Sequence, residues 1–466
     1  MKAKRAELTT TQMIALGFLI SIFIGAFLLM LPISHAKGQE ISVMDAFFTA
    51  TTSVCVTGLV TVTTASAWSL FGKFVILILI QIGGLGIVTF TTLVLVLLGR
   101  RVTLKERLLL QDAYNLDTLS GLVRLTKRIL KGTLLVEGIG AILYAIVFIP
   151  QYGLFYGSIS SIFNAVSAFC NAGMDILGEN SLIPYQKNWL INLTTIYLIV
   201  AGGLGFPVWW DMIRVIKQEK KEEKIEIYHG TYRHFLRDFF EKLELHSKLV
   251  IVLTLVLILM GTTITLLLEW NNPKTIGELS FSGKVLSCLF QSVTTRTAGF
   301  LTIPQENFRD ASTMIFLIFM FIGGSPCGTA GGIKTVTIYM MILAAVSTIK
   351  GRNHIEVFER RIDHSYIKKG MAVILFSVSG LFLSIICLCL VQQADFLDIL
   401  YECTSAIATV GLSRNLTGNL NLWGQLVIIV TMYMGRIGPI SLALFFNSKR
   451  KKEHQVQYPQ GKIRIG

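Results

Sequence analysis

Charge is scarce in this 466-residue chain: Asp, Glu, Lys and Arg together make up 15%, against about 25% in ordinary soluble proteins. With 53% hydrophobic residues and a mean hydropathy of +0.63, that shortage excludes a soluble globular class. Cysteine is sparse, seven in all, with no C-x-x-C pair. Cys55, Cys170, Cys288, Cys327, Cys387, Cys389 and Cys403 lie among apolar or small residues and read as reduced packing groups, not disulfides or metal ligands. The seven histidines fall outside the apolar runs. Neither a metal cluster nor the constellation of acids, His and Cys needed by a membrane-embedded enzyme is evident. No aromatic-rich basic motif accompanies the net charge of +14, which argues against nucleic acid as a partner. No small-residue cleavage site follows MKAKRAELTTTQ, so the N-terminus reads as a retained first helix.

What the chain has is apolar runs long enough to cross a hydrocarbon core, which takes about 20 helical residues. It also has an internal repeat. Short segments ending in Gly recur four times: Asp45–Gly58, Ser160–Gly173, Leu286–Gly299 and Asp398–Gly411. An apolar span precedes each: Met13–Pro32, Leu130–Pro150, Leu249–Leu268 and Met371–Val391. Another follows: Phe74–Leu98, Trp189–Ile213, Ser312–Val346 and Leu422–Phe446. The expected fold is therefore all-α and polytopic. Four pseudo-symmetric helix–pore loop–helix repeats surround one central pore, with eight spans and four re-entrant pore helices. The repeats fall at 8–103, 130–216, 248–349 and 370–447, the connectors at 104–129, 217–247 and 350–369, and a basic tail at 448–466. The first connector has apolar residues at helical spacing and is expected along the inner membrane surface; the second reads as a solvated charged helix.

Lys2, Lys4, Arg5, the three connectors and Lys449–Lys452 carry the basic residues, while the stretches around the short segments are poor in them. The positive-inside rule then puts both termini in the cytoplasm and the short segments on the outer side.

Each short segment is too short to span, begins as an amphipathic helix and ends in small or β-branched residues. Non-helical backbone at that depth must be buried in protein or line a watery cavity. The endings Val56-Thr57-Gly58, Asn171-Ala172-Gly173, Thr297-Ala298-Gly299 and Thr409-Val410-Gly411 contain no carboxylate. They suit a filter of backbone carbonyls selective for potassium, with Gly supplying the unusual dihedrals. The alternative, simple helix packing at small residues, explains one such segment better than four in register.

The third inner span is longer than a crossing needs, and five glycines and a proline between Gly323 and Gly332 interrupt it. Two half-helices joined by an unwound loop are expected. The string is not a phosphate-binding loop, because Ile333 separates Gly332 from Lys334. Arg436 lies near mid-span, where a charge costs at least about 2.5–3.5 kcal/mol unless it faces the bundle or water. A fixed charge donating to the glycine-loop carbonyls is the expected role, and a purely structural tie the alternative. Lys334 either serves the same loop or snorkels to the cytoplasmic face. Arg296 is expected behind the third triplet, paired with a carboxylate such as Glu402. Glu137 reads equally as a coupling-ion site or a buried hydrogen-bonding group.

The strings TTSVCVTGL (Thr51–Leu59), QIGGLG (Gln81–Gly86), AFCNAGM (Ala168–Met174), SVTTRTAGF (Ser292–Phe300), GGSPCGTAGGIKT (Gly323–Thr335) and MGRIGP (Met434–Pro439) resemble the Trk/Ktr/HKT superfamily of potassium transporters, above all its bacterial KtrB-type subunits. The resemblance implies potassium uptake across the bacterial cytoplasmic membrane. It implies a gate under the filter built by Gly323, Gly324, Ser325, Pro326, Gly328, Thr329, Ala330, Gly331, Gly332, Lys334 and Arg436. It also implies a homodimer and a cytoplasmic ring of nucleotide-binding regulatory subunits. In that family a Ser at the position of Gly58 goes with sodium permeation, so the intact Gly favours potassium. The chain is expected to open at the first repeat, without the extra helix pair of TrkH-type relatives, and to hold no cofactor. A sodium-coupled or sodium-conducting transporter is the alternative that Thr57, Asn171 and Glu137 leave open.

Overall fold

The computed structural model describes residues 9–97, 102–114, 122–223, 232–352 and 354–438. The N-terminal basic cluster, the end of the fourth inner span and the basic tail lie outside them. In chain order the helices are α1 (Thr10–Met30), α2 (Val43–Cys55), α3 (Thr64–Ala67), α4 (Leu70–Leu85), α5 (Ile87–Leu97), α6 (Leu104–Tyr114), α7 (Leu122–Phe169), α8 (Trp189–Leu204) and α9 (Phe206–Glu223). They continue as α10 (Tyr232–Lys242), α11 (Leu245–Glu269), α12 (Phe281–Thr294), α13 (Asp310–Phe321), α14 (Thr335–Ile349), α15 (His364–Val391), α16 (Phe396–Ala408) and α17 (Leu422–Ile437).

The protein is mostly helical, with several apolar spans. By length and composition α1, α7, α11 and α15 can each cross a membrane, and the pairs α4–α5 and α8–α9 pass the same test as bent spans. Beyond their polar first turns these long helices are mainly apolar and leave large side chains uncovered: Phe23 and Phe27 on α1, Leu135 and Ile142 on α7, Leu259 and Leu267 on α11, Phe382 and Leu390 on α15. Such a surface suits lipid, not water. The short helices α2, α12 and α16 are buried along most of their length. Burying that much polar backbone is tolerable because each helix pairs its own N–H and C=O groups.

The second repeat has no separate short helix. Its outer and short segments run together as α7, broken at Gly153, whose φ of 77° and ψ of 168° lie outside the helical range. Two of the inner spans are sharply bent. Helix α4 turns into α5 by 106° and α8 into α9 by 95°, at Gly86 (φ 81°) and Gly205 (φ 91°). Gly438, closing α17, has φ 87°. A left-handed residue stops a right-handed helix, and Gly adopts it at little cost.

One departure from an all-α fold is the antiparallel hairpin β1 (Ile355–Val357) and β2 (Arg360–Ile362) in the third connector. Phe358 and Glu359 at its turn both have positive φ, the geometry of a two-residue hairpin loop. Ile355 and Val357 anchor it by packing with Leu249 and Met340.

Candidate functional site

The four Gly-ending turns meet at one place. A Cβ built on Gly58 would fall 2.5 Å from the Ala172 carbonyl oxygen, one on Gly173 2.5 Å from that of Ala298, and one on Gly299 2.6 Å from that of Val410. One on Gly411 would strike the carbonyl of Thr57, so the contacts close a ring in chain order. All four turns also share one conformation. The first residue of each triplet, Val56, Asn171, Thr297 or Thr409, has φ between 51° and 64°. The glycines are again positive, at 101°, 63°, 84° and 94°. The middle residues Thr57, Ala172, Ala298 and Val410 are not among the positive-φ residues. A φ that changes sign at each step turns successive carbonyls toward a common side, whereas in an ordinary strand they alternate. Non-glycine residues hold this conformation only where their surroundings over-determine it.

What over-determines it here is a set of hydroxyls that lie outside the triplets themselves. Thr52 Oγ1 accepts from Gly58 N–H at 3.0 Å, Ser405 Oγ from Gly411 N–H at 3.0 Å, and Ser167 Oγ from Met174 N–H at 3.1 Å. In the third repeat Thr294 Oγ1 donates to the Phe300 carbonyl at 2.8 Å. Thr52, Ser167 and Ser405 precede their glycines by the same interval in the sequence, a periodicity that could have revealed them. The short helices point their C-termini at the ring. The negative end of each peptide dipole therefore faces the ring axis, which favours a cation.

A cavity of about 530 Å³ opens on one side of the ring, lined by all four glycines, and among the described residues its charged lining is Asp175 and Glu179. On the other side lies the glycine loop, residues 322–334 between α13 and α14. The loop is held by backbone bonds: Gly323 N–H to Ile333 O at 2.9 Å, Ser325 N–H to Gly203 O at 3.0 Å and Thr329 N–H to Gly202 O at 3.1 Å. Thr329 Oγ1 also donates to the Phe169 carbonyl at 2.9 Å. Gly331 lies against the Thr409 side chain, and Gly332 stands 3.4 Å from the Ala408 carbonyl if given a Cβ. The loop thus sits directly beneath the fourth triplet.

Two cations hold the loop. Arg436 donates from Nη1 to the Thr329 carbonyl at 2.8 Å and from Nη2 to the Gly83 carbonyl. Lys334 Nζ donates to the Ala330 carbonyl at 2.7 Å. Both line a second cavity of about 330 Å³, shared with Gly328, Ala330, Gly331 and Gly332. The remaining named loop residues play packing parts: Ser325 Oγ lies 3.4 Å from Thr335 Oγ1, Gly324 faces Ala330, and the Pro326 carbonyl lies where a Gly205 side chain would stand.

The expected Arg296–Glu402 pair does not form. Arg296 is buried, lining a small void with Asn171, Gly203 and Gly324, and reaches Thr254 Oγ1 at 3.5 Å. Glu402 instead accepts from Ser413 Oγ at 2.7 Å and from Thr417 Oγ1. Its own loop satisfies it before a charge on the neighbouring repeat can. Glu137, 4% exposed, accepts from Gln81 Nε2 at 3.2 and 3.4 Å, with the Cys170 thiol 3.9 Å away. Among the described residues no group of three or more His, Cys, Asp or Glu could hold a metal ion.

The chain as a whole has relatives among known proteins. The family profile described as TrkH, cation transport protein, matches residues 2–458. The Ktr system potassium uptake protein B of Bacillus subtilis is 37% identical over 463 residues, covering 99% of this chain and 98% of its own. The potassium/sodium uptake protein NtpJ of Enterococcus hirae is 35% identical, covering 100% and 99%. Among solved structures, the potassium transporter TrkH from Vibrio parahaemolyticus matches in fold with a TM-score of 0.74 at 16% identity, over 95% of this chain and 86% of that one. With a profile matched almost end to end and relatives of this identity along the full length, the chain belongs to the TrkH family of cation transport proteins.

Proposed function

We propose that the chain carries potassium into the cell through the four-turn ring, and that the glycine loop below it is the gate. The observation that carries this reading is the closed ring of four turns with φ of alternating sign, which can offer a dehydrated cation a ring of carbonyls. In this reading the filter is Val56–Gly58, Asn171–Gly173, Thr297–Gly299 and Thr409–Gly411. Asp175 and Glu179 concentrate cations at the mouth. Arg436 and Lys334 pin the loop across the exit and repel the ion until the loop moves.

The membrane arrangement that goes with it is eight spans and four re-entrant helices in four repeats, at the boundaries given above, with both termini in the cytoplasm. A membrane potential of 100 mV supplies about 2.3 kcal/mol per charge, enough for uptake without a bound nucleotide. The relatives named as Ktr system proteins support a two-component arrangement, and we assign this chain the membrane part. It would act as a homodimer opened by a cytoplasmic nucleotide-binding ring.

Uptake into proteoliposomes tests the function. Potassium entering in preference to sodium, with the preference relaxed in Gly58→Ser, is the expected result; a folded protein that moves neither ion refutes it. The sodium reading rests on the likeness to a potassium/sodium uptake protein and on the Thr57, Thr297 and Thr409 hydroxyls, buried without a hydrogen-bond partner among the described residues. Potassium uptake that demands external sodium would decide for it.

A further inference from the structure

The turn from α8 into α9 leaves an apolar groove of about 480 Å³ between α7, α8 and α9, lined among others by Val136, Tyr197, Ala201, Leu204, Trp209 and Ile213. Three observations give it an occupant. The first is charge at one end. Arg124, Arg128, Gly132 and Val136 follow one another at four-residue spacing, hence on one stripe of α7. Gly132 lies against the rings of Trp209 and Trp210, which ties this stripe to the groove. Arg124 and Arg128 are exposed, and Lys217, one turn beyond Ile213 on α9, is exposed as well. None of the three pairs with an acidic group among the described residues, whereas their neighbour Arg214 is paired with Asp211 at 2.6 Å and Glu244 at 3.2 Å.

The second observation is depth. By the charge distribution, this end of α7 and the whole of α9 lie at the cytoplasmic face, where a membrane presents anionic headgroups. The third is mechanical. Groove residues Ala201 and Leu204 bracket Gly202 and Gly203, whose carbonyls accept from Thr329 and Ser325 of the glycine loop. Phe206 N–H, just past the bend, donates to the Cys327 carbonyl at 3.1 Å.

We infer that the groove holds one anionic phospholipid of the inner leaflet, an acyl chain along Ala201 and Leu204 and the headgroup phosphate between Arg128 and Lys217. The lipid props the bend that carries the loop. Its regulatory part rests on the gate reading above; its binding part does not.

The test uses full-length protein in vesicles of phosphatidylcholine alone or with one-third phosphatidylglycerol. Bound lipid is counted by native mass spectrometry after mild detergent transfer. Wild type should retain phosphatidylglycerol over phosphatidylcholine. Arg128→Gln and Lys217→Gln should each weaken that retention roughly fivefold, as expected of a cation near an anionic headgroup. Ala201→Trp, which fills the groove and keeps the cations, should abolish it while the melting profile stays intact. Equal retention of both lipids, or unchanged retention in the Arg128→Gln/Lys217→Gln double variant, overturns the site. So does a cysteine pair across the groove that crosslinks two copies of the chain. A deleted glycine loop that leaves flux unchanged sinks the gate reading instead, with the lipid count unaffected.

Discussion

Arg436→Ala tests how far one side chain holds closed the loop proposed as the gate. The guanidinium bridges two carbonyls, Thr329 in the loop and Gly83 at the end of α4. Only the Thr329 bond joins the loop to the framework from this residue, so only it distinguishes a closed loop from a displaced one. A hydrogen bond involving a charged group contributes about 1.5–3 kcal/mol, so its loss shifts the closed-to-open balance roughly 10- to 150-fold. The fold should survive, because Arg436 borders the 330 Å³ cavity, where water can solvate the freed carbonyls. Potassium flux into proteoliposomes at fixed voltage, normalised to correctly folded protein, should rise by that factor until the filter limits it. Arg436→Lys separates two causes: Lys keeps the charge and loses the fork. Flux as low as wild type in Lys but high in Ala makes repulsion the dominant barrier; high flux in both makes it the bond. Wild-type flux in Arg436→Ala refutes the pinned-loop argument.

Gly331→Ala should raise flux by a steric route, since its Cβ would overlap Thr409 Oγ1 and push the loop from beneath the filter; wild-type flux would count against that seat. Gly58→Ser should reduce the ratio of potassium to sodium flux, because a side chain at φ 101° and 2.5 Å from the Ala172 carbonyl must shift the ring; an unchanged ratio would separate Gly58 from selectivity. Glu269→Ala should lower the melting temperature markedly, at a cost on the order of 3 kcal/mol or more. Its carboxylate is the shared acceptor for Asn272, Thr275, the Arg309 N–H and Ser312, and thermal unfolding in detergent reads the effect. Glu137→Ala should destabilise by about 1–3 kcal/mol by stranding the Gln81 amide, with any sodium response of flux unchanged; loss of a sodium response would make Glu137 a coupling site.

The parts of the fold legible in the sequence are those where backbone conformation selects residue type. Gly58, Gly173, Gly299 and Gly411 all have positive φ, so Gly marks each turn and the repeat shows through weak identity. The break in the third inner helix was legible for the same reason, because Gly and Pro between 323 and 332 cannot be disguised. The bends at Gly86 and Gly205 were harder to read. A single Gly in an apolar run is also an ordinary packing residue, and only the fold shows which one carries φ above 80°. Partner choice was least legible of all. Glu402 takes its donors from Ser413 and Thr417 in its own loop, and nothing in charge or spacing ranks hydroxyls above Arg296. The hairpin at Ile355–Ile362 was missed because three-residue strands sit below the reach of periodicity.

Building the ring from one chain instead of four identical ones frees the repeats to diverge below it. In the filter reading the turns above must match, because a cation needs equivalent ligands from every side, and their φ values agree closely among the first triplet residues. Below, the axis has room for one obstruction. Repeat three supplies it by unwinding residues 322–334, and the others supply the seat: Gly202 and Gly203 carbonyls from repeat two, Thr409 from repeat four. Arg436 from repeat four then locks the loop to Gly83 of repeat one. Four identical subunits would place four loops in one space and four guanidiniums around one axis. The glycine pairs at 83–84 and 202–203 stay within helices where the loop unwinds. They are its complement, kept small so that one unwound segment can cross the axis and still find a hydrogen-bond partner on the surrounding repeats.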